Sequence, residues 1–171
     1  MLTLLHGFDS RDGSFPWAPL VEGTNGVFYG TTETGGSGNC GTVYGVTAAG
    51  VLKTLDYFHG IHGCQSAAPL TLGNDGNFYG TTYNGGMYND GVVFKVSPTV
   101  SFTDLHDFDP NTEGYSPSSG LIEGTNGVLY GTTSFGGTSK TKAPFILSPA
   151  AVVPWPRCTV LTPPMGRLAL L

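Results

Sequence analysis

An all-β fold built from tandem repeats is the class this sequence predicts, and three observations predict it. First, Phe28-Tyr29-Gly30-Thr31-Thr32 returns as Phe78-Tyr79-Gly80-Thr81-Thr82 and as Leu129-Tyr130-Gly131-Thr132-Thr133, at spacings of 50 and 51 residues. Second, each copy follows an Asn-Gly or Asp-Gly pair (Asn25-Gly26, Asp75-Gly76, Asn126-Gly127) and precedes a Gly-Gly pair (Gly35-Gly36, Gly85-Gly86, Gly136-Gly137). Third, no stretch carries sustained helical periodicity, whereas short β-branched and aromatic runs alternate with turn residues throughout. Self-similarity at a fixed period of this size marks a repeat architecture, in which one supersecondary unit recurs.

Taken from Pro19, one repeat reads as four short strands. Residues 19–22 form the first and end at Thr24-Asn25-Gly26, a turn that supplies the positive φ angles of a tight hairpin. Residues 27–32 form the second, closed by the Gly35-Gly36 loop. Residues 41–47 form the third and return as 91–97; residues 51–58 form the fourth and return as 101–108. Four strands joined by short turns make an antiparallel meander. Tyr44/Phe94 and Val46/Val96 on one face, with Val43/Val93 on the other, suit a sheet covered on both sides. Four-stranded sheets repeated every 40 to 50 residues are the blades of a β-propeller. A β-solenoid is the alternative, but its coils are shorter and stack parallel strands.

The expected architecture is therefore a partial, open β-propeller-like array. Residues 1–139 hold about three repeats: 19–58, 69–108 and an incomplete 117–139. Residues 2–8 match 52–58 and read as the last strand of a preceding repeat, so the array is expected to begin partway through. Three blades do not close a ring, since closed propellers use about four to eight. Residues 140–171 differ in composition. All twelve Asp and Glu lie at or before Glu123, and the tail holds six of the twelve prolines. Codons allowed for this tail, read two nucleotides later, permit Gly-Thr-Val-Tyr near the position the period requires. We expect it to be a shifted-frame continuation that leaves the third blade without its outer strands.

Charge and composition narrow the function. A formal net charge of -5 argues against nucleic acid as a partner. No apolar run is long enough for a membrane span, and no signal peptide opens the chain.

The combined pattern — Pro-x-x-x-Leu, a Gly-Thr-Asn-Gly or Asn-Asp-Gly turn, Tyr-Gly-Thr-Thr, Gly-Gly, Gly-Thr-Val-Tyr and Leu-x-x-Phe — resembles the GloVer tandem repeat of bacterial choice-of-anchor tandem repeat proteins. It extends from Leu2 to about Gly137. The resemblance implies a propeller-like protein, generally exported and often tethered at the cell surface by a C-terminal anchor. It implies no activity, cofactor or catalytic residue. This chain departs from the pattern in its small number of repeats and in lacking a signal peptide and an anchor.

Candidate chemistry is sparse. Tyr29, Tyr79 and Tyr130 either line a ligand surface at blade edges, where aromatics suit an extracellular glycan or protein, or fill one core slot per blade. The paired threonines have no adjacent base and make poor nucleophiles. Residues 9–13 and 109–114 are oxygen-rich loops in matching positions, read as plain turns in preference to calcium loops because no bidentate glutamate follows. His59 and His62 lack a third metal ligand, and His6 and His106 occupy equivalent strand positions. Cys40 and Cys64 fall near one another across the hairpin centred on Ala49-Gly50, so a disulfide is one reading and two separate thiols the other. The leading expectation is a non-enzymatic extracellular module for binding or surface scaffolding. The rivals are a propeller enzyme acting on an extracellular polymer such as a glycan, and a fragment with no role of its own.

Overall fold

A computed structural model describes residues 2–136 and 144–147. Strands β1 (Val21–Glu22), β2 (Phe28–Thr32), β3 (Thr42–Val46) and β4 (Leu52–Tyr57) form the first sheet, in that order and antiparallel throughout. The second sheet repeats it with β5 (Thr71–Leu72), β6 (Phe78–Thr82), β7 (Val92–Val96) and β8 (Phe102–Asp107). Both sheets even share a register shift at the same place, between Val43 and Tyr44 and between Val93 and Phe94. The third sheet contains β9 (Tyr115–Pro117), β10 (Ile122–Glu123), β11 (Leu129–Phe135) and β12 (Pro144–Leu147). No α-helix occurs among the described residues; Gly60–His62 make one 3-10 turn. No helix there is long and apolar enough to cross a membrane.

The sheets stack face to face as an unclosed, propeller-like array. Tyr29, Val43, Leu55 and Phe58 of the first repeat share one core with Leu70, Phe78, Val92, Phe94 and Val96 of the second. Tyr79, Val93 and Phe108 then share another with Leu121 and Leu129 of the third. The alternation of strand side chains explains this: Phe78 and Tyr79 are adjacent in β6 and point to opposite neighbours. The middle sheet is buried on both faces. On the far face of the first sheet Leu20 is exposed while Tyr44 and Val46 are buried, and on the far face of the third sheet Ile122 is exposed.

The recurring motif is a packing instruction. Its tyrosine enters the core toward the following blade, and the Tyr29 ring lies 4.1 Å from that of Phe78. Its glycine makes room on the opposite face, since a Cβ at Gly80 would approach Phe94 to 2.5 Å and Leu70 to 2.9 Å. Its second threonine is fully buried beneath a glycine of the loop that precedes its repeat: a Cβ at Gly13 or Gly63 would lie 2.5 Å from Thr32 or Thr82. Thr32 Oγ1 accepts the Thr42 amide at 3.0 Å, and Thr82 Oγ1 accepts that of Val92 at 3.1 Å. These hydroxyls are structural.

Four expectations need correction. The Asn-Gly turns hold only one positive φ, at Gly26 (72°) and its equivalents, because the Asn25 side chain instead accepts the Val27 amide at 3.2 Å. Residues 2–8 form no strand; among the described residues no strand lies beside them as β3 lies beside β4. Phe8 nevertheless meets Tyr44 edge-on at 5.0 Å, as Phe58 meets Phe94 at 5.2 Å. The third repeat does not stop at residue 139. Strand β12 pairs Leu129 with Leu147 and Gly131 with Phe145, which puts Phe145 in the register of Tyr44 and Phe94. The third blade therefore has its third strand, from residues read in the existing frame. Residues 137–143 and 148–171, on which the rest of the shifted-frame reading falls, lie outside the described residues.

Candidate functional site

The three tyrosines do not form a common surface. Tyr29 and Tyr79 are 3% and 5% exposed, whereas Tyr130 is 38% exposed because its face of the third sheet is open. Each hydroxyl is held by the turn residue four positions earlier: Asn25 to Tyr29 at 2.8 Å, Tyr79 to Asp75 at 2.8 Å and Asn126 to Tyr130 at 3.4 Å. Burial and the adjacent Asp75 carboxylate push the Tyr79 phenol well above its ordinary value. Burial would raise Asp75, but bonds from Asn77 and Tyr79 keep its carboxyl below the ordinary range. This is a core slot with a polar clasp, repeated.

The oxygen-rich loops spend their carboxylates on themselves. Asp9 Oδ1 accepts the Arg11 amide at 2.9 Å, and Asp109 Oδ1 accepts the amide and side chain of Asn111, both at 2.9 Å. His6 reaches Asp12 at 2.7 Å, and His106 reaches Glu113 at 2.6 Å; each ring also stands edge-on to Phe8 or Phe108. These pairs tie a loop to the preceding segment. In the middle repeat the residue types are exchanged, with Asp56 at the histidine position and His62 at the acid position, and His62 bonds Asp104 of the next blade at 2.6 Å. Cys40 and Cys64 are joined by a disulfide, with Cα atoms 4.4 Å apart, and the Gln65 amide donates to the Cys40 carbonyl at 2.9 Å.

The disulfide leads to a cleft that sequence reasoning missed. It measures about 230 Å³ and is lined by Glu33, Gln65, Ala67, Tyr83, Pro117 and Ser118. Glu33 and Tyr83 are the first residues beyond the second strands of their blades, so the cleft lies at the blade ends. The opposing segment turns through a left-handed residue in every repeat: Phe15 (φ 57°), Gln65 (φ 62°) and Ser116 (φ 53°). None is glycine, although glycine adopts that conformation at least cost. In the first two repeats this residue's carbonyl accepts the amide of Glu33 at 3.1 Å or Tyr83 at 3.0 Å, fixing the cleft walls.

Aromatic surface flanks the cleft. Trp17 is 67% exposed and Phe15 57%, and their rings stack with centroids 6.0 Å apart. The Trp17 indole donates to Glu33 Oε2 at 2.7 Å, so the platform adjoins the acidic wall. In the third repeat Tyr115 and Phe135 stack at 5.5 Å at the equivalent blade end. The Gln65 amide oxygen accepts from Asn84 at 2.5 Å. The result is an aromatic ledge beside a small cleft carrying a carboxylate, an amide, a phenol and a hydroxyl. No signal of repetition marks it, because Trp17 becomes Ala67 and Ser118 in the other copies.

Comparison with known proteins agrees with this architecture. Among solved structures, one described as "Streptogramin B lyase structure" superposes with a TM-score of 0.50 at 16% identity, covering 78% of this chain. The likeness concerns the fold, and the chain spans only 41% of that protein's length. No curated protein matches. The family described as the Gloeobacter/Verrucomicrobia repeat matches residues 1–153, which takes in all three blades and β12. The chain thus belongs to the Gloeobacter/Verrucomicrobia repeat family.

Proposed function

We propose that this chain is a non-enzymatic repeat module that binds an extracellular polymer, a neutral glycan, through the cleft at the blade ends. The observation that carries the reading is the juxtaposition of the Phe15–Trp17 stack with Glu33 across a 2.7 Å bond, at the mouth of a cleft of about 230 Å³. A pyranose ring presents an apolar C–H face and a rim of hydroxyls. An exposed indole receives the first, while a carboxylate and an amide bond the second. Glu33 has one carboxylate oxygen engaged by Trp17, and Gln65 has its amide oxygen engaged by Asn84. Their other polar atoms serve the ligand. Extracellular placement fits the family resemblance and a disulfide between Cys40 and Cys64, since such bonds persist in oxidising compartments.

The acidic loops that an enzyme would use instead bond their own backbone, through Asp9 to the Arg11 amide and Asp109 to the Asn111 amide. Calorimetric titration against a panel of soluble neutral polysaccharides tests the proposal. Binding to at least one is expected. Trp17→Ala should weaken it about tenfold or more, roughly 1.4 kcal/mol, without changing the unfolding midpoint. Unchanged affinity in Trp17→Ala, or no binding across the panel, would reject the site.

A further inference from the structure

The cleft at the blade ends does not belong to one joint. Glu33 lines it from the first blade, Gln65, Ala67 and Tyr83 from the second, and Pro117 and Ser118 from the segment that enters the third. The repeat explains why they meet. Residues 17, 67 and 118 are equivalent, each three positions before the recurring leucine (Leu20, Leu70, Leu121). Residues 33, 83 and 134 are equivalent too, each directly after the paired threonines. In the first blade these two positions are joined by the Trp17 indole, which donates to Glu33 Oε2 at 2.7 Å. In the third they are joined by the Ser118 and Ser134 hydroxyls, 2.7 Å apart. In the second, Ala67 and Tyr83 both line the cleft. Each blade thus sets the same pair of positions at its end.

We propose that a neutral glycan lies across the three blades in this cleft, with one subsite at each blade end. The proposal rests on the reading of the cleft as a glycan site and adds the direction and length of the bound chain. Three observations support it. First, every blade end contributes aromatic surface. Trp17 is 67% exposed, Tyr83 is half-buried in the cleft wall, and Phe135 is 45% exposed and stacked on Tyr115 at 5.5 Å. Second, groups able to bond sugar hydroxyls stand beside each of them: Glu33 in the first blade, the Gln65 amide in the second, and Ser118 with Ser134 in the third. A single bond between two serine hydroxyls leaves both donor and acceptor capacity for a ligand. Third, a cleft of about 230 Å³ is smaller than the roughly 300–1,000 Å³ that encloses a small molecule. A ligand seated in it therefore extends along the blade ends, which suits a polymer. Stacked sheets lie about 10 Å apart, so a single sugar reaches one blade and an oligomer is needed to touch all three.

Calorimetric titration of the whole chain with oligomers of one to six sugars, cut from a glucan, a mannan and a xylan, tests this. In a series that binds, affinity should rise about 100-fold or more from the single sugar to the longest oligomer, because linked subsites act together. Ser118→Ala combined with Ser134→Ala removes two hydroxyls at the third blade end and alters no core side chain. It should weaken the longest oligomer about tenfold and leave the disaccharide unchanged, whereas Trp17→Ala should weaken both. Equal affinity at every length would overturn the three-subsite arrangement and leave the cleft as a single-sugar site. A serine variant that loses affinity equally at every length would overturn it in the same way. Absence of binding in all three series would overturn both this proposal and the glycan reading. An unchanged unfolding midpoint in the serine variant separates a lost subsite from a lost fold, and the length series on the unaltered chain decides without it.

Discussion

Replacing each repeated tyrosine by alanine, one at a time, separates a packing slot from a ligand surface. The same residue occupies the same register in three blades, but its surroundings differ. Tyr29 and Tyr79 are 3% and 5% exposed and sit between sheets, so truncation removes the transfer energy of the ring and leaves a cavity. Large-to-small changes of this kind cost about 3–5 kcal/mol. Tyr130 is 38% exposed on an open face, so about three fifths of the transfer term is lost and no enclosed cavity forms. With about 1.5–3 kcal/mol for complete burial of a large side chain, its cost is about 1–2 kcal/mol. Its clasp to Asn126, at 3.4 Å, is also longer than the 2.8 Å bond of Tyr29, and adds little. Urea unfolding of the three variants reads the difference as shifts in midpoint at constant slope. Two large shifts and one small shift are expected. Equal shifts would refute the face-to-face stacking of the blades, and three negligible shifts would refute the slot altogether.

Three other outcomes follow from particular residues. Removing the Cys40–Cys64 bridge, with its separation of 24 residues, should cost about 3.5 kcal/mol by loop-closure entropy, read as the loss of denaturation midpoint in reductant; an unchanged midpoint would contradict it. Burial raises the Asp56 carboxyl above its ordinary 3.8, against the Tyr57 amide and the nearby His59 and His62, with Asp104 adding repulsion. Its ionised form is therefore disfavoured by folding: the penalty is present above the folded value and absent below 3.8, so Asp56→Asn should raise the melting temperature at pH 7 and not at pH 3. Val100 holds φ 73° where the equivalent turn position is Gly50 at φ 82°, so Val100→Gly should stabilise by about 1 kcal/mol in the same unfolding assay, and destabilisation would show the strain is not relieved.

The blade pattern was legible in the sequence because packing repeats with the chain. Every position that must fit between sheets, such as Leu70, Tyr79 and Gly80, recurs at the same spacing. What repetition does not carry is direction. The sequence marks Tyr29, Tyr79 and Tyr130 as equivalent, but only the stacking order shows that two are enclosed and one faces outward. Strand β12 was obscured because Pro144 and Phe145 replace the expected Val43-Tyr44 run and lie in a proline-rich stretch. The period itself was the missed signal, since Phe145, Ser148 and Pro149 fall in step with Phe94, Ser97 and Pro98. Residues 2–8 carry strand-forming chemistry without a strand to pair with among the described residues, and pattern alone does not reveal a partner. The cleft was hidden for the opposite reason. Its walls share a backbone conformation at Phe15, Gln65 and Ser116 but no side chain, so aligning the repeats presents its most distinctive residues as variation.

Amide chemical-shift mapping with a bound neutral oligosaccharide tests the functional claim most directly. The account predicts that shifts concentrate on Trp17, Glu33, Gln65 and Tyr83 at the blade ends, and that the amide of Tyr130 stays in place. Shifts centred on Tyr130 and Ile122, with the cleft unmoved, would contradict it.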